Sequence, residues 1–113
     1  MSHTLPLAGI KVLDLSRALS GPFCAMILGD LGAEVFKIEP LPGGDMVREW
    51  GPFAGDTSVY YLSGNRNKKS VALNFRSSEG ARILREMAAK VDVVVENFRP
   101  GVMEQMGMSL AEL

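Results

Sequence analysis

The polar residues of this chain best placed for chemistry fall in three short segments. They are RALSGP (17–22), the loop after Phe75, and ENFRPG (96–101). Each follows a run of apolar residues that reads as a strand, and open α/β sheets bind ligands at the carboxyl ends of their strands, near the point where strand order reverses. Ser20 opens a predicted helix, and the free N–H groups of a helix start suit an anion. Covalent chemistry has fewer candidates. The single histidine, His3, sits at the N-terminus, so no Ser-His-Asp or Cys-His arrangement assembles, and no His/Cys set has zinc spacing. Neither G-x-G-x-x-G nor G-x-x-x-x-G-K-[ST] occurs, which disfavours the familiar NAD and ATP grips. The residues alone point to a small-molecule-binding α/β domain.

The elements that position these segments follow from apolar periodicity. Residues 9–15, GIKVLDL, read as a buried strand. Ser20 then caps a helix with Gly21 and Pro22 in its first turn; Phe23, Ile27 and Leu31 recur at fours, and Gly32 ends it as a left-handed cap. EVFKIE (34–39) is the second strand, so the unit is βαβ and the sheet parallel. Residues 40–58 form a long excursion rich in proline and glycine, which predicts burial for Met46, Val47, Trp50 and Phe53. Structure resumes at VYYLSG (59–64), followed by the strand SVALNF (70–75). Ser77 caps the next helix, whose apolar stripe is Leu84, Met87, Ala88 and Val91. DVVV (92–95) suits a strand covered on both faces, Pro100 starts a short helix through Met106, and Ser109 caps one more. That last helix has a single turn before Leu113, so the fold is expected to continue beyond it.

Composition narrows the partners. The chain has 113 residues, is 47% hydrophobic and 22% charged, and fits one domain at most. Twelve basic and 13 acidic residues leave a net charge of −1, which argues against nucleic acid or an anionic membrane as the main partner. No apolar run approaches the ~20 residues of a spanning helix, and the start lacks a secretory pattern. One cysteine, Cys24, cannot form an internal disulfide, so a cytoplasmic setting is expected.

Four ordered segments carry a specific resemblance: LAGIKVLDLSRALSGPFCAMILGDLGAEVFKIE (7–39), GGDMVREWGP (43–52), YYLSGNRNKKSVALNF (60–75) and DVVVENFRPGVMEQMG (92–107). Together they resemble the N-terminal part of the class III CoA-transferases, the superfamily that includes formyl-CoA transferase and α-methylacyl-CoA racemase. GPFAGDTSVYYLSGNRNKKS (51–70) looks most similar to transferases of dicarboxylic acids such as succinate and glutarate. The resemblance implies an α/β fold with a Rossmann-like parallel sheet flanked by helices, residues 1–113 forming the CoA-binding part of its large domain. It implies an interlocked homodimer, coenzyme A or acyl-CoA and a carboxylic acid as substrates, and no metal. It also implies an aspartate nucleophile that passes through an acyl anhydride and an aspartyl-CoA thioester. That aspartate lies beyond Leu113 in the family, so no catalytic residue is assigned in this chain. A racemase of the same superfamily, or a fragment that only binds CoA or a partner chain, are the alternatives.

The family's CoA contacts transfer by position. Leu19 and Ser20 align with a pair near the pantetheine thiol, with leucine where glutamine is common; Ser20 as a plain helix cap is the structural alternative. Leu73, Asn74, Phe75 and Arg76 align with a strand end that holds adenine, Arg76 standing where a lysine reaches phosphate. Asn97, Phe98 and Arg99 follow the short strand; Arg99 suits a CoA phosphate and Asn97 offers both ends of its amide. Gln105 replaces a frequent arginine, as Pro40 does, and Met106 packs on adenine or fills the core. Arg66, Lys68 and Lys69 read as a solvated guard on an edge strand. Arg48 and Trp50 either line the acyl-acceptor route or anchor the excursion, and Cys24 and Met26 are expected in the core.

Overall fold

The computed structural model describes residues 4–113, so His3 lies outside the described residues. Four strands, β1 (Lys11–Asp14), β2 (Glu34–Glu39), β5 (Lys68–Ala72) and β6 (Val93–Val95), form one parallel sheet in the order β5-β2-β1-β6. This is the opening of a doubly wound order, and it reverses between β1 and β6. Helix α1 (Ser20–Asp30) crosses from β1 to β2, and helix α3 (Ser78–Ala88) crosses from β5 to β6. The period of two in the strands divides the core. Val12 and Val35 meet Ala25 and Ala33 on the α1 face, while Leu13, Leu15 and Ile38 meet Leu84 and Met108 on the other. The expected α/β fold with a Rossmann-like parallel sheet is the observed one.

Local signals located most elements. Gly32 takes φ +108° and its N–H bonds the Gly29 carbonyl at 3.0 Å, closing α1. The Ser77 hydroxyl accepts the Gly80 N–H at 3.0 Å and caps α3, whose Leu84, Met87 and Ala88, with Val91 beyond its end, face the core as expected. Val94 and Val95 each reach one of the two cores, so β6 is covered on both faces there, although Val93 at its start is exposed. Ser109 and Glu112 exchange side-chain to backbone bonds at 3.0 and 3.3 Å, but residues 110–112 form a turn and not the helix expected after Ser109.

Several expectations change. Ser20 is not a cap: Leu19 occupies the N-cap position and no side chain bonds the helix start. The buried side of α1 is Gly21, Pro22, Ala25 and Met26, whereas Phe23, Ile27, Leu31 and Cys24 are exposed. The helix sits too near the sheet for large side chains, since a Cβ at Gly21 would lie 2.2 Å from that of Ser16. Strand β5 starts two residues early and ends at Ala72, with Leu73 adding one more bond to the Glu39 carbonyl at 3.0 Å. The short helix α4 (Val102–Gln105) does not start at Pro100 as expected; it begins after Gly101, which takes φ +94° at the N-cap.

The excursion is held by charge, not by apolar burial. It contains a 3-10 turn (Met46–Glu49) and a small hairpin, β3 (Phe53–Ala54) and β4 (Thr57–Ser58), and leads into helix α2 (Val59–Gly64). Val47 is buried, but Met46, Trp50 and Phe53 are exposed. The strand period places Asp14, Lys37, Glu39, Lys68 and Ser70 on the α1 face; Asp14 and Glu39 end their strands, and Lys68 reaches toward that end from the start of β5. There Lys37 pairs with Asp45 at 2.9 Å, with 0% and 1% of the two side chains exposed. Lys68 pairs with Asp14 at 2.8 Å, 2% and 0% exposed, and is therefore no solvated guard; Arg66 and Lys69 do remain exposed, paired with Asp30 and Glu34. Glu39 takes two bonds of 2.7 Å from Arg48, one of 2.9 Å from the Asp45 amide, and others from Ser70 and Tyr61. Burial opposes ionisation of Glu39, but the Arg48, Asp45 and Ser70 hydrogen bonds and the Arg48 charge outweigh it and lower its pKa from 4.5 to about 2. Burial and the Glu39 charge push Tyr61 up to about 12.

Removing one partner of a buried pair leaves the other charge without compensation. Lys37→Met should therefore cost about 3–5 kcal/mol in chemical denaturation; a loss under about 1 kcal/mol would show that the pair does not hold the excursion. Because the folded-state pKa of Glu39 is depressed, its contribution is complete above pH 4.5 and is lost as pH falls through 2. Glu39→Gln should flatten this acid limb of the stability profile, worth about 3 kcal/mol.

Candidate functional site

The three chemically promising segments meet at the carboxyl edge of the sheet. Past β1 the chain stays beside β6, where the Leu15 N–H bonds the Val95 carbonyl at 2.8 Å. Arg17 is then gripped by the Asn97 side chain. Oδ1 accepts the Arg17 N–H at 3.0 Å and Nδ2 donates to the Arg17 carbonyl at 2.8 Å. This clamp spans the gap between β1 and β6, the place where strand order reverses. The loop is also fixed from beneath: Lys37 Nζ donates to the Ser16 carbonyl at 3.2 Å and Lys68 Nζ to that of Pro22 at 2.9 Å. Between these anchors Ala18 adopts φ +72°, a left-handed conformation that costs a residue with a Cβ about 1–2 kcal/mol.

Above this edge lies an open cleft of about 780 Å³. Phe75 and Phe98 form its aromatic wall, their ring centroids 6.4 Å apart and tilted by 54°. The Arg17 guanidinium lies over the Phe98 ring, 5.7 Å from its centroid. Arg76, Arg85 and Arg99 supply three more cations, and Ser77 and Ser78 bring the start of α3 to the cleft. Among the described residues none of these four arginines forms a salt bridge, whereas Arg48, Arg66 and Arg82 each hold a carboxylate. Unpaired guanidiniums beside a helix N-terminus can bind phosphate or carboxylate, and the rings offer faces for a flat heterocycle.

The sequence-derived site residues divide. Phe75, Arg76, Phe98, Arg99, Gln105 and Met106 line the cleft. Leu73 packs into the core, and the Asn74 carbonyl accepts the Ser77 hydroxyl at 2.8 Å, so both support the wall from behind. Asn97 uses both ends of its amide on Arg17. Leu19 and Ser20 are exposed at the start of α1, apart from the cleft lining. Arg48 is committed to Glu39, and Trp50 meets Tyr60 edge to face at 5.3 Å; both belong to the excursion. Arg17 and Arg85 were missed. Arg17 stands in RALSGP immediately after the first strand, a positional signal; Arg85 lies on the polar side of α3, where nothing in the local sequence marks it.

Residues 7–113 match the family described as CoA-transferase family III. The chain is 52% identical over 114 residues to human succinyl-CoA:glutarate CoA-transferase, covering 100% of this chain and 26% of the relative. It is 47% identical over 108 residues to acetyl-CoA:oxalate CoA-transferase of Acetobacter aceti, covering 96% and 28%. Among solved structures, a CAIB/BAIF family protein from Brucella suis superposes with a TM-score of 0.89 at 38% identity, covering 97% of this chain and 30% of that one. The chain thus spans about a quarter of the length of the curated relatives it matches.

One glycine sets the cleft wall. A Cβ at Gly80 would lie 1.8 Å from the Asn74 carbonyl oxygen, so any side chain there must push the strand end away from α3. Gly80→Ala should cost about 1–3 kcal/mol and speed hydrogen exchange at residues 77–80. Unchanged exchange and stability would show that the wall yields freely.

Proposed function

The chain belongs to CoA-transferase family III, and from that premise we propose that residues 1–113 form the N-terminal CoA-binding part of an acyl-CoA:carboxylate CoA-transferase. The observation that carries the reading is the set of unpaired arginines (Arg17, Arg76, Arg85 and Arg99) around one cleft beside two phenyl rings. Coenzyme A presents a diphosphate, a ribose phosphate and an adenine, and these arginines and rings suit such groups. The cleft volume of about 780 Å³ is in the range of small-molecule sites. Phe75, Arg76, Phe98, Arg99, Gln105 and Met106 contact the nucleotide directly in this reading, and Leu73 and Asn74 shape its wall. Leu19 and Ser20, on the far side of the first loop, face the pantetheine–thiol end.

The relatives' names make dicarboxylates such as succinate and glutarate the favoured acceptor class. In this reading none of the described carboxylates is assigned as the nucleophile of the anhydride and thioester steps: Asp14, Glu39 and Asp45 at the sheet edge are occupied in ion pairs, and Glu96 accepts the Phe98 N–H at 2.8 Å. The uncovered apolar stripe of α1 (Phe23, Ile27 and Leu31) supports assembly into the family's homodimer, and the exposed free thiol of Cys24 suits a reducing cytoplasm.

Calorimetric titration with CoA, ATP and NAD tests the reading, CoA being expected to bind with clear preference. Arg99→Gln or Arg76→Gln should weaken CoA roughly tenfold or more, and added salt should weaken the wild type more than either variant. Equal binding of the three nucleotides would sink the assignment. For the transfer reaction, exchange of label between succinate or glutarate and the CoA ester is expected in the full-length protein.

A further inference from the structure

Asn97 is aligned with CoA-contacting positions, yet its amide faces the protein. Its oxygen and nitrogen both close on the backbone of Arg17, at 3.0 and 2.8 Å. Arg17 itself belongs to no sequence-derived contact set, yet its guanidinium lines the cleft against the Phe98 ring. We propose that Arg17 is a phosphate-contacting residue of the CoA cleft, and that Asn97 acts on the ligand through it, as a positioning residue. This rests on the CoA reading above.

Three observations carry the inference. First, the backbone of Arg17 is fixed from two sides. Asn97 holds it across the reversal point of the sheet, while the Lys37 and Lys68 ammonium groups hold the carbonyls of Ser16 and Pro22. A loop this constrained, with Ala18 at φ +72°, presents its arginine at a fixed place. Second, the guanidinium is free for a ligand. Among the described residues it makes no salt bridge, and contact with the face of Phe98 at 5.7 Å leaves the N–H donors at its edge available. Third, Arg17 and Arg99 come from the two strands that flank the reversal point, one after β1 and one after β6, so the Asn97 bridge also sets the spacing of two cations.

The two roles separate in a double-mutant cycle on CoA affinity, measured by calorimetry on the purified protein. Arg17→Gln is expected to raise the Kd for CoA roughly tenfold or more, and Asn97→Ala to produce much of the same loss. The double variant should bind no more weakly than Arg17→Gln alone, because the asparagine has nothing further to position. Arg17→Lys should recover part of the affinity when Asn97 is present and none in the Asn97→Ala background. Additive losses would make Asn97 a direct ligand contact and overturn its positioning role. Arg17→Gln with wild-type affinity would overturn the role of Arg17. Wild-type protein that fails to bind CoA would instead refute the CoA reading itself. Circular dichroism checks the fold. If Asn97→Ala does not fold, Asn97→Asp replaces it in the cycle, because it retains the acceptor for the Arg17 N–H and sets an oxygen against the Arg17 carbonyl.

Discussion

Two buried ion pairs, Lys37–Asp45 and Lys68–Asp14, hold the carboxyl edge of the sheet together. Charges so far from water are costly unless each finds a close partner and further hydrogen bonds. Here they do. Lys37 also reaches the Ser16 carbonyl, Lys68 reaches Pro22 and Asn65, and Asp14 accepts both the amide and the hydroxyl of Ser16. No buried side-chain nitrogen or oxygen among the described residues lacks a partner. The result is directional in a way that apolar burial is not: it fixes where the first loop and the long excursion stand relative to the strands.

The charges of the molecule are therefore divided by place. Beneath the loop they are paired and buried, and on the outer surface Arg66 and Arg82 pair with acids in exposed bridges that contribute little to stability. Around the cleft the arginines have no such partners. An unpaired guanidinium near other cations raises the local potential and favours an anionic ligand, and this imbalance, more than any single residue, gives the cleft its chemical character. A near-neutral net charge conceals it, because the sum over the chain says nothing about where the pairs form.

Helix α1 shows how close packing overrides a local pattern. Phe23, Ile27 and Leu31 form a regular apolar row, yet the side facing the sheet is Gly21, Pro22, Ala25 and Met26. The row is exposed because Gly21 allows the helix start to approach Ser16 more closely than a larger side chain would permit. Periodicity predicted a helix correctly and chose the wrong face. The excursion made the same kind of demand, for Met46, Trp50 and Phe53 looked like its anchors while Asp45 and Arg48 do the anchoring.

What the sequence determined by itself was local or carried by resemblance. The βαβ order, the left-handed cap at Gly32, the Ser77 cap and the Leu84 stripe depend on neighbours a few residues apart, and so they were legible. The four ordered segments identified the family, and the carboxyl-end rule singled out the loops whose Phe75 and Phe98 line the cleft. Tertiary structure decided the rest. Lys37 and Asp45 meet over eight positions, Asp14 and Lys68 over 54, and Arg17 and Asn97 over 80. No period or spacing announces such pairs, since parallel strands bring distant residues together only after the crossovers are made. That is why lysines in apolar strands passed unremarked or read as solvated, and why the grip of the Asn97 amide on the Arg17 backbone was not foreseen.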